Sequence, residues 1–104
     1  MIPDSVKNMS GTFSDCTSLV KAPMIPDSVT DLEFTFDGCT SLETVHNWQV
    51  DNNNIKAWSY CFGECTSLKS IYVHKESKTE WETSFGNGWG FPRELSISSI
   101  VKEL

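Results

Sequence analysis

The sequence has no cluster of lysine or arginine: 8 basic residues stand against 14 acidic ones, for a formal net charge of −6. A phosphate backbone and an anionic membrane surface both reward concentrated positive charge, so nucleic acid and lipid headgroups make poor partners. No apolar run approaches the roughly 18 residues that span a bilayer, and no membrane insertion is expected. Nor does a basic and then apolar leader follow Met1, which runs directly into repeated sequence, so nothing in these letters directs export. Phosphate-loop glycine spacings are missing, and Gly86-Asn-Gly-Trp-Gly90 follows a helical segment instead of opening one. His46 and His74 are the only histidines, and neither has a Cys, Asp or Glu at metal-ligand spacing. Without a nucleophile–base pair, paired acids or a metal cluster, no catalytic, cofactor or metal site is read, and a non-enzymatic protein is expected.

What the chain does contain is one phrase used three times. Ile2-Pro-Asp-Ser-Val-Lys-Asn-Met-Ser-Gly-Thr-Phe-Ser-Asp-Cys-Thr-Ser-Leu19 returns as Ile25 to Leu42, and a looser copy ends Cys61-Phe-Gly-Glu-Cys-Thr-Ser-Leu68. Val6, Val29 and Ile55 are equivalent, as are Met9, Leu32 and Trp58; Phe13, Phe36 and Phe62; Cys16, Cys39 and Cys65; and Leu19, Leu42 and Leu68. Self-similarity at a period of 23 and then 26 residues marks a solenoid, whose units hide their apolar faces by stacking on one another. The boundaries read as three units, 2–24, 25–49 and 50–76, followed by a capping segment, 77–104. In total, 104 residues make one small domain that buries about two thirds of its unfolded surface.

Within a unit, Val6, Met9, Phe13 and Cys16 are spaced three, four and three, which predicts a short helix. Pro-Asp-Ser supplies a turn and N-cap candidates, Thr30-Asp-Leu-Glu33 fits a capping box, and Asp15 and Gly38 stand where the backbone needs left-handed tolerance to stop the helix. After Cys-Thr-Ser-Leu the period shortens toward two, most clearly in Leu68-Lys-Ser-Ile-Tyr-Val73, and predicts a strand in each unit. The fold class is therefore α/β, with parallel strands on one face and short helices on the other. Gln49 to Asn54 is an insertion read as a solvated turn, because the acidic ligands of a calcium loop are absent. In the tail, Thr79-Glu-Trp-Glu82 fits a second capping box, Trp81 and Phe85 lie four apart on a short helix, and Leu95 to Val101 reads as a last strand. Trp81, Phe85, Trp89 and Phe91 are expected to cover the third unit. The amino-terminal unit has no such cover, and the expectation is a chain cut from a longer array or self-associating through that end.

Cys16, Cys39 and Cys65 share one repeat position and read as small buried fillers, with disulfides between neighbouring units as the alternative. Cys61 and Cys65 lie four apart but lack a second Cys/His pair, so the metal signal is weak.

The phrases Ile-Pro-Asp-Ser-Val, Thr-Phe-x-x-Cys-Thr-Ser-Leu and Ser-Leu-Lys-Ser-Ile-Tyr-Val resemble the BspA-type leucine-rich repeats of bacterial and some protist surface proteins. The resemblance covers Ile2 to about Val73, and Ile71 to Trp89 is similar to the terminal segment that follows the last such repeat. It implies a right-handed leucine-rich-repeat solenoid with a role in adhesion or another protein interaction outside the cell. The chain departs from that family in being short and in carrying no export or anchoring segment.

If the repeat leucine and the third and fifth residues after it point inward, the residues between them form outward columns. These are Val20, Glu43 and Lys69; Lys21, Thr44 and Ser70; Pro23, His46 and Tyr72; and Ile25, Trp48 and His74. Aromatic residues anchor interfaces disproportionately, so the candidate contact residues for a protein or glycan ligand are Lys21, His46, Trp48, Tyr72 and His74. The alternative for Trp48 is a place in the core, and the alternative for the whole chain is a structural spacer.

Overall fold

A computed structural model describes residues 2–46 and 48–104. Four short strands, β1 (Lys21–Ala22), β2 (Thr44–Val45), β3 (Ser70–Val73) and β4 (Val101–Glu103), form one parallel sheet in the order β1-β2-β3-β4. Its register pairs Lys21 with Thr44 and Thr44 with Ser70, while Ala22, Val45, Ile71 and Val101 form the next row. That row is buried, and the leucines preceding it, Leu42 and Leu68, are buried with it. The strand expectation thus holds in all three units, and the protein is a small mixed α/β fold with a parallel sheet.

The helices expected between the strands do not form. Among the described residues, the segments from Val6 to Cys16, Val29 to Cys39 and Ile55 to Cys65 contain no helix and run as consecutive turns. Alternate N–H groups explain the difference. Those of Thr12, Ser14 and Cys16 donate within the unit to the carbonyls of Met9, Gly11 and Phe13, each at 3.1 Å. Those of Met9, Gly11, Phe13 and Asp15 leave the unit and donate to Asp31, Glu33, Thr35 and Asp37 at 2.7–2.9 Å. The second copy repeats the pattern, with Leu32, Phe34, Phe36 and Gly38 donating to Ala57, Ser59, Cys61 and Gly63 at 2.8–3.0 Å.

A helix would send every one of these donors to the residue four back. Here the right-handed run is broken at two equivalent positions in each unit, one held by Gly11, Phe34 and Tyr60 and the other by Asp15, Gly38 and Glu64, all at φ between 53° and 81°. Left-handed tolerance at Asp15 and Gly38 was legible, but it works inside a turn ladder and ends no helix. The capping box at Thr30–Glu33 is likewise not made. The Glu33 N–H donates to Asp31 Oδ1 at 3.0 Å, and Thr30 bonds the Lys7 carbonyl of the preceding unit.

Between sheet and ladder lies the core. Phe13, Phe36 and Phe62 stack ring on ring, with centroids 5.5 Å apart in both pairs and planes within 4° and 11° of parallel. Phe36 and Phe62 are fully buried, and Phe13, at the end of the column, is half-buried. The repeat cysteines are free thiols and do more than fill space: Cys39 Sγ donates to the Phe13 carbonyl at 3.1 Å and Cys65 Sγ to the Phe36 carbonyl at 3.2 Å. Each thiol thereby ties its unit to the one before it.

The tail packs on the third unit. Helix α1 (Lys78–Phe85) buries Trp81 and Phe85 one turn apart, and Phe62 meets Phe85, Trp89 and Phe91 at 6.0, 6.1 and 4.9 Å. Gly88 and Trp89 continue the ladder, accepting from the Tyr60 and Phe62 N–H groups at 3.1 and 2.9 Å. Two tail expectations need correction. Thr79 lies inside α1, whose N-cap is Ser77 without a side-chain hydrogen bond, so Thr79–Glu82 is no capping box. The last strand starts at Val101; Ile97–Ile100 is a single helical turn, α2, because the three-residue step from Ile97 to the buried Ile100 breaks the period of two. The insertion turns as read but is not solvated throughout: Asn52–Asn54 is a 3-10 turn closed by Asp51, which accepts from the Asn53 N–H at 2.9 Å, while Val50 is buried in the core.

Candidate functional site

Of the five candidate residues, the structure brings two into contact. His46 and Tyr72 stand on adjacent units just past β2 and within β3, with ring centroids 5.3 Å apart and planes 20° from parallel. His46 is exposed and Tyr72 half-buried. Lys21 is exposed on β1, in register with Thr44 on the neighbouring strand. Along the same face an exposed Lys69–Glu43 pair at 3.8 Å adds little stability, as solvent screens it.

Trp48 does not belong to this face. It is 1% exposed and sits among Phe62, Trp81, Phe85 and Trp89, with ring centroids 5.6–6.2 Å away. Ile25, its counterpart one unit earlier, is fully buried as well. The alternation of inward and outward side chains lasts only as long as the strand; β1 and β2 stop after two residues, and the chain then turns inward. Trp48 Nε1 and Trp89 Nε1 are buried without an oxygen or nitrogen acceptor. Their rings cross at 72°, and each also crosses Trp81 near a right angle. In such pairs the electropositive edge of one ring faces the π-cloud of another, which compensates a missing acceptor in part.

His74 is exposed and lines a cavity of about 500 Å³ with Asp27, Asp51, Asn53 and Glu80, while His46 lies outside it. Among the described residues, no three His, Cys, Asp or Glu side chains converge as a metal site would require.

A second cluster escaped the sequence reading. Phe34 and Tyr60 occupy the equivalent left-handed position of adjacent units, at φ 56° and 53°, and are 43% and 57% exposed. Their rings stack with centroids 6.0 Å apart and planes within 6°. For a bulky residue this backbone region costs about 1–2 kcal/mol relative to glycine, and the first unit avoids the cost with Gly11. Beside them opens a cavity of about 710 Å³, lined also by Asp37, Glu64, Phe91 and Arg93. Burial, and after it the Asp15 and Glu64 carboxylates, hold the Asp37 carboxyl above its ordinary range. The signal that could have found this cluster was present: a position occupied by Gly, Phe and Tyr in three copies of one unit cannot be a core position.

Burial keeps the inner cysteines protonated, while Cys16, in the first unit, is only half-buried. Burial pushes the Cys65 thiol up to about 12, and burial followed by the nearby Cys65 raises Cys61 well above the usual thiol range. Comparison of the chain with models of known protein families, with characterised proteins and with solved structures finds no match.

Proposed function

We propose that the chain is a non-enzymatic interaction module, a leucine-rich-repeat solenoid of the BspA type, that binds a protein partner outside the cell through the exposed face of its sheet. The observation that carries this reading is the His46–Tyr72 stack. Two aromatic side chains from successive units stand together on the outer side of a sheet whose inner side is core, which is the composition of an interface anchor. The in-register phenylalanine column and the parallel sheet support the solenoid, since each copy of the phrase uses the same contacts to reach the next.

The test is binding of the wild-type chain and of the His46→Ala/Tyr72→Ala variant to a panel of immobilised extracellular-matrix proteins. A module using this face binds at least one of them and loses about tenfold or more of its affinity in the variant, the loss of roughly one anchor, with its thermal midpoint kept. Binding that survives the double substitution moves the interface elsewhere, and a chain that binds none of the panel is a spacer.

A further inference from the structure

We propose that the cavity walled by Phe34, Tyr60 and Phe91 and edged by the Asp37 and Glu64 carboxylates is a binding site for an alkylated ammonium group. The site lies on the turn ladder and uses none of the residues of the sheet face.

Three observations converge on a cation. The first is the presence of exposed aromatic rings where the fold does not need them. Phe34 and Tyr60 hold a left-handed backbone that glycine adopts freely, as Gly11 does in the first unit, and most of their ring surface is spent on solvent and on each other. Residues held in strained backbone concentrate at ligand contacts.

Shape is the second. The cavity of about 710 Å³ falls in the range of small-molecule sites, and glycine backbone forms part of its wall. A Cβ added to Gly90 would lie 2.8 Å from Tyr60 Cδ1 and 3.2 Å from the Gly63 Cα, so bare backbone at Gly63 and Gly90 is what lets the tail close against the Tyr60 ring.

The third is charge. Aromatic faces carry the negative end of the ring quadrupole and attract cations within about 6 Å. The adjoining carboxylates have the same preference. Asp37 and Glu64 line the cavity together, the Asp15 and then the Glu64 carboxylate repel the charge on Asp37, and neither ion pair among the described residues, Lys69–Glu43 or Lys78–Glu82, neutralises them. Arg93 lines the same cavity but forms no ion pair with either carboxylate. Its guanidinium competes with an incoming cation for their field. An alkylated ammonium fits better than a bare one because it sheds its weak hydration readily and presents methyl groups to the rings, while keeping its charge for Asp37 and Glu64.

The experiment is a titration of the full chain, followed by amide shifts in heteronuclear NMR, with choline and with N6-trimethyllysine as separate arms that distinguish a free small molecule from a modified side chain. Sodium chloride and 3,3-dimethylbutanol, the uncharged isostere of choline, are the controls. Saturable shifts confined to Phe34, Tyr60, Glu64, Phe91 and their neighbours are expected from at least one ammonium arm, with the isostere at least about tenfold weaker. Phe34→Gly and Tyr60→Gly should each abolish saturation while leaving the other amide shifts in place, since glycine is already tolerated in the first unit. Arg93→Gln should tighten binding. Shifts that do not saturate, that sodium chloride reproduces, or that are as strong with the neutral isostere overturn the assignment.

Discussion

Replacing Phe36 by alanine removes the middle ring of the phenylalanine column, and the structure fixes how large the effect must be relative to its neighbours. Phe36 is fully buried and stacks on both sides, at 5.5 Å from Phe13 and 5.5 Å from Phe62. A Phe to Ala change in such a site costs about 3–5 kcal/mol, of which the two ring pairs supply about 0.5–1.5 kcal/mol each. Phe13 stacks on one side only and is half-buried, so Phe13→Ala should cost about half as much, roughly 2 kcal/mol. With 104 residues, the unfolding entropy is about 0.2 kcal/mol per degree. The thermal midpoint should therefore fall by about 20 °C for Phe36→Ala and about 10 °C for Phe13→Ala. Should Phe36→Ala fail to fold, Phe36→Leu keeps most of the volume, loses both ring pairs, and should cost about 1–2 kcal/mol. Urea and thermal unfolding followed by circular dichroism measure all three. A Phe36→Ala variant no less stable than Phe13→Ala would refute the idea that the units are held by a continuous column.

Two further predictions follow from local chemistry. Cys39, Cys61 and Cys65 have folded-state thiols raised above the ordinary value near 9, chiefly by burial, so the folded state holds protons that the unfolded state releases. The stability they contribute is complete below about pH 9 and declines as pH rises toward 12; the thermal midpoint should fall over that window, and Cys61→Ala should flatten the fall. Gly90→Ala places a methyl group against Tyr60 and Gly63 in left-handed backbone and should destabilise far more than Gly11→Ala, which meets nothing within 4 Å and bears only the backbone strain of about 1–2 kcal/mol; equal midpoints for the two variants would contradict the close tail packing.

The strands were legible because Leu68 to Val73 alternates cleanly and the other copies follow it by alignment. The core was legible for a simpler reason: Phe, Cys and Leu return at fixed positions, and only core positions are so constrained. The turns were misread because a step of three or four residues between apolar side chains is shared by a helix and by successive turns that each advance about three residues. What separates them is left-handed backbone at two positions four residues apart in each unit, and only Gly11, Asp15 and Gly38 announce that by residue type; Phe34, Tyr60 and Glu64 adopt it against their own preference. For Trp48 the core alternative is the one realised, because β2 ends at Val45 and strand alternation does not carry three residues further. Lys21 and Tyr72 lie within strands and His46 directly after one, and there the outward reading matches their exposure.

The ladder of hydrogen bonds between copies of the repeated phrase is the claim on which the rest depends, and scalar couplings across hydrogen bonds observe it directly. In a long-range amide–carbonyl NMR experiment, the Phe13 amide should correlate with the Thr35 carbonyl and the Phe36 amide with the Cys61 carbonyl, with matching correlations from Gly11 to Glu33 and from Gly38 to Gly63. Correlations from Phe13 to Met9 and from Phe36 to Leu32 would instead establish a helix in each unit, and the stacked-turn account would be wrong.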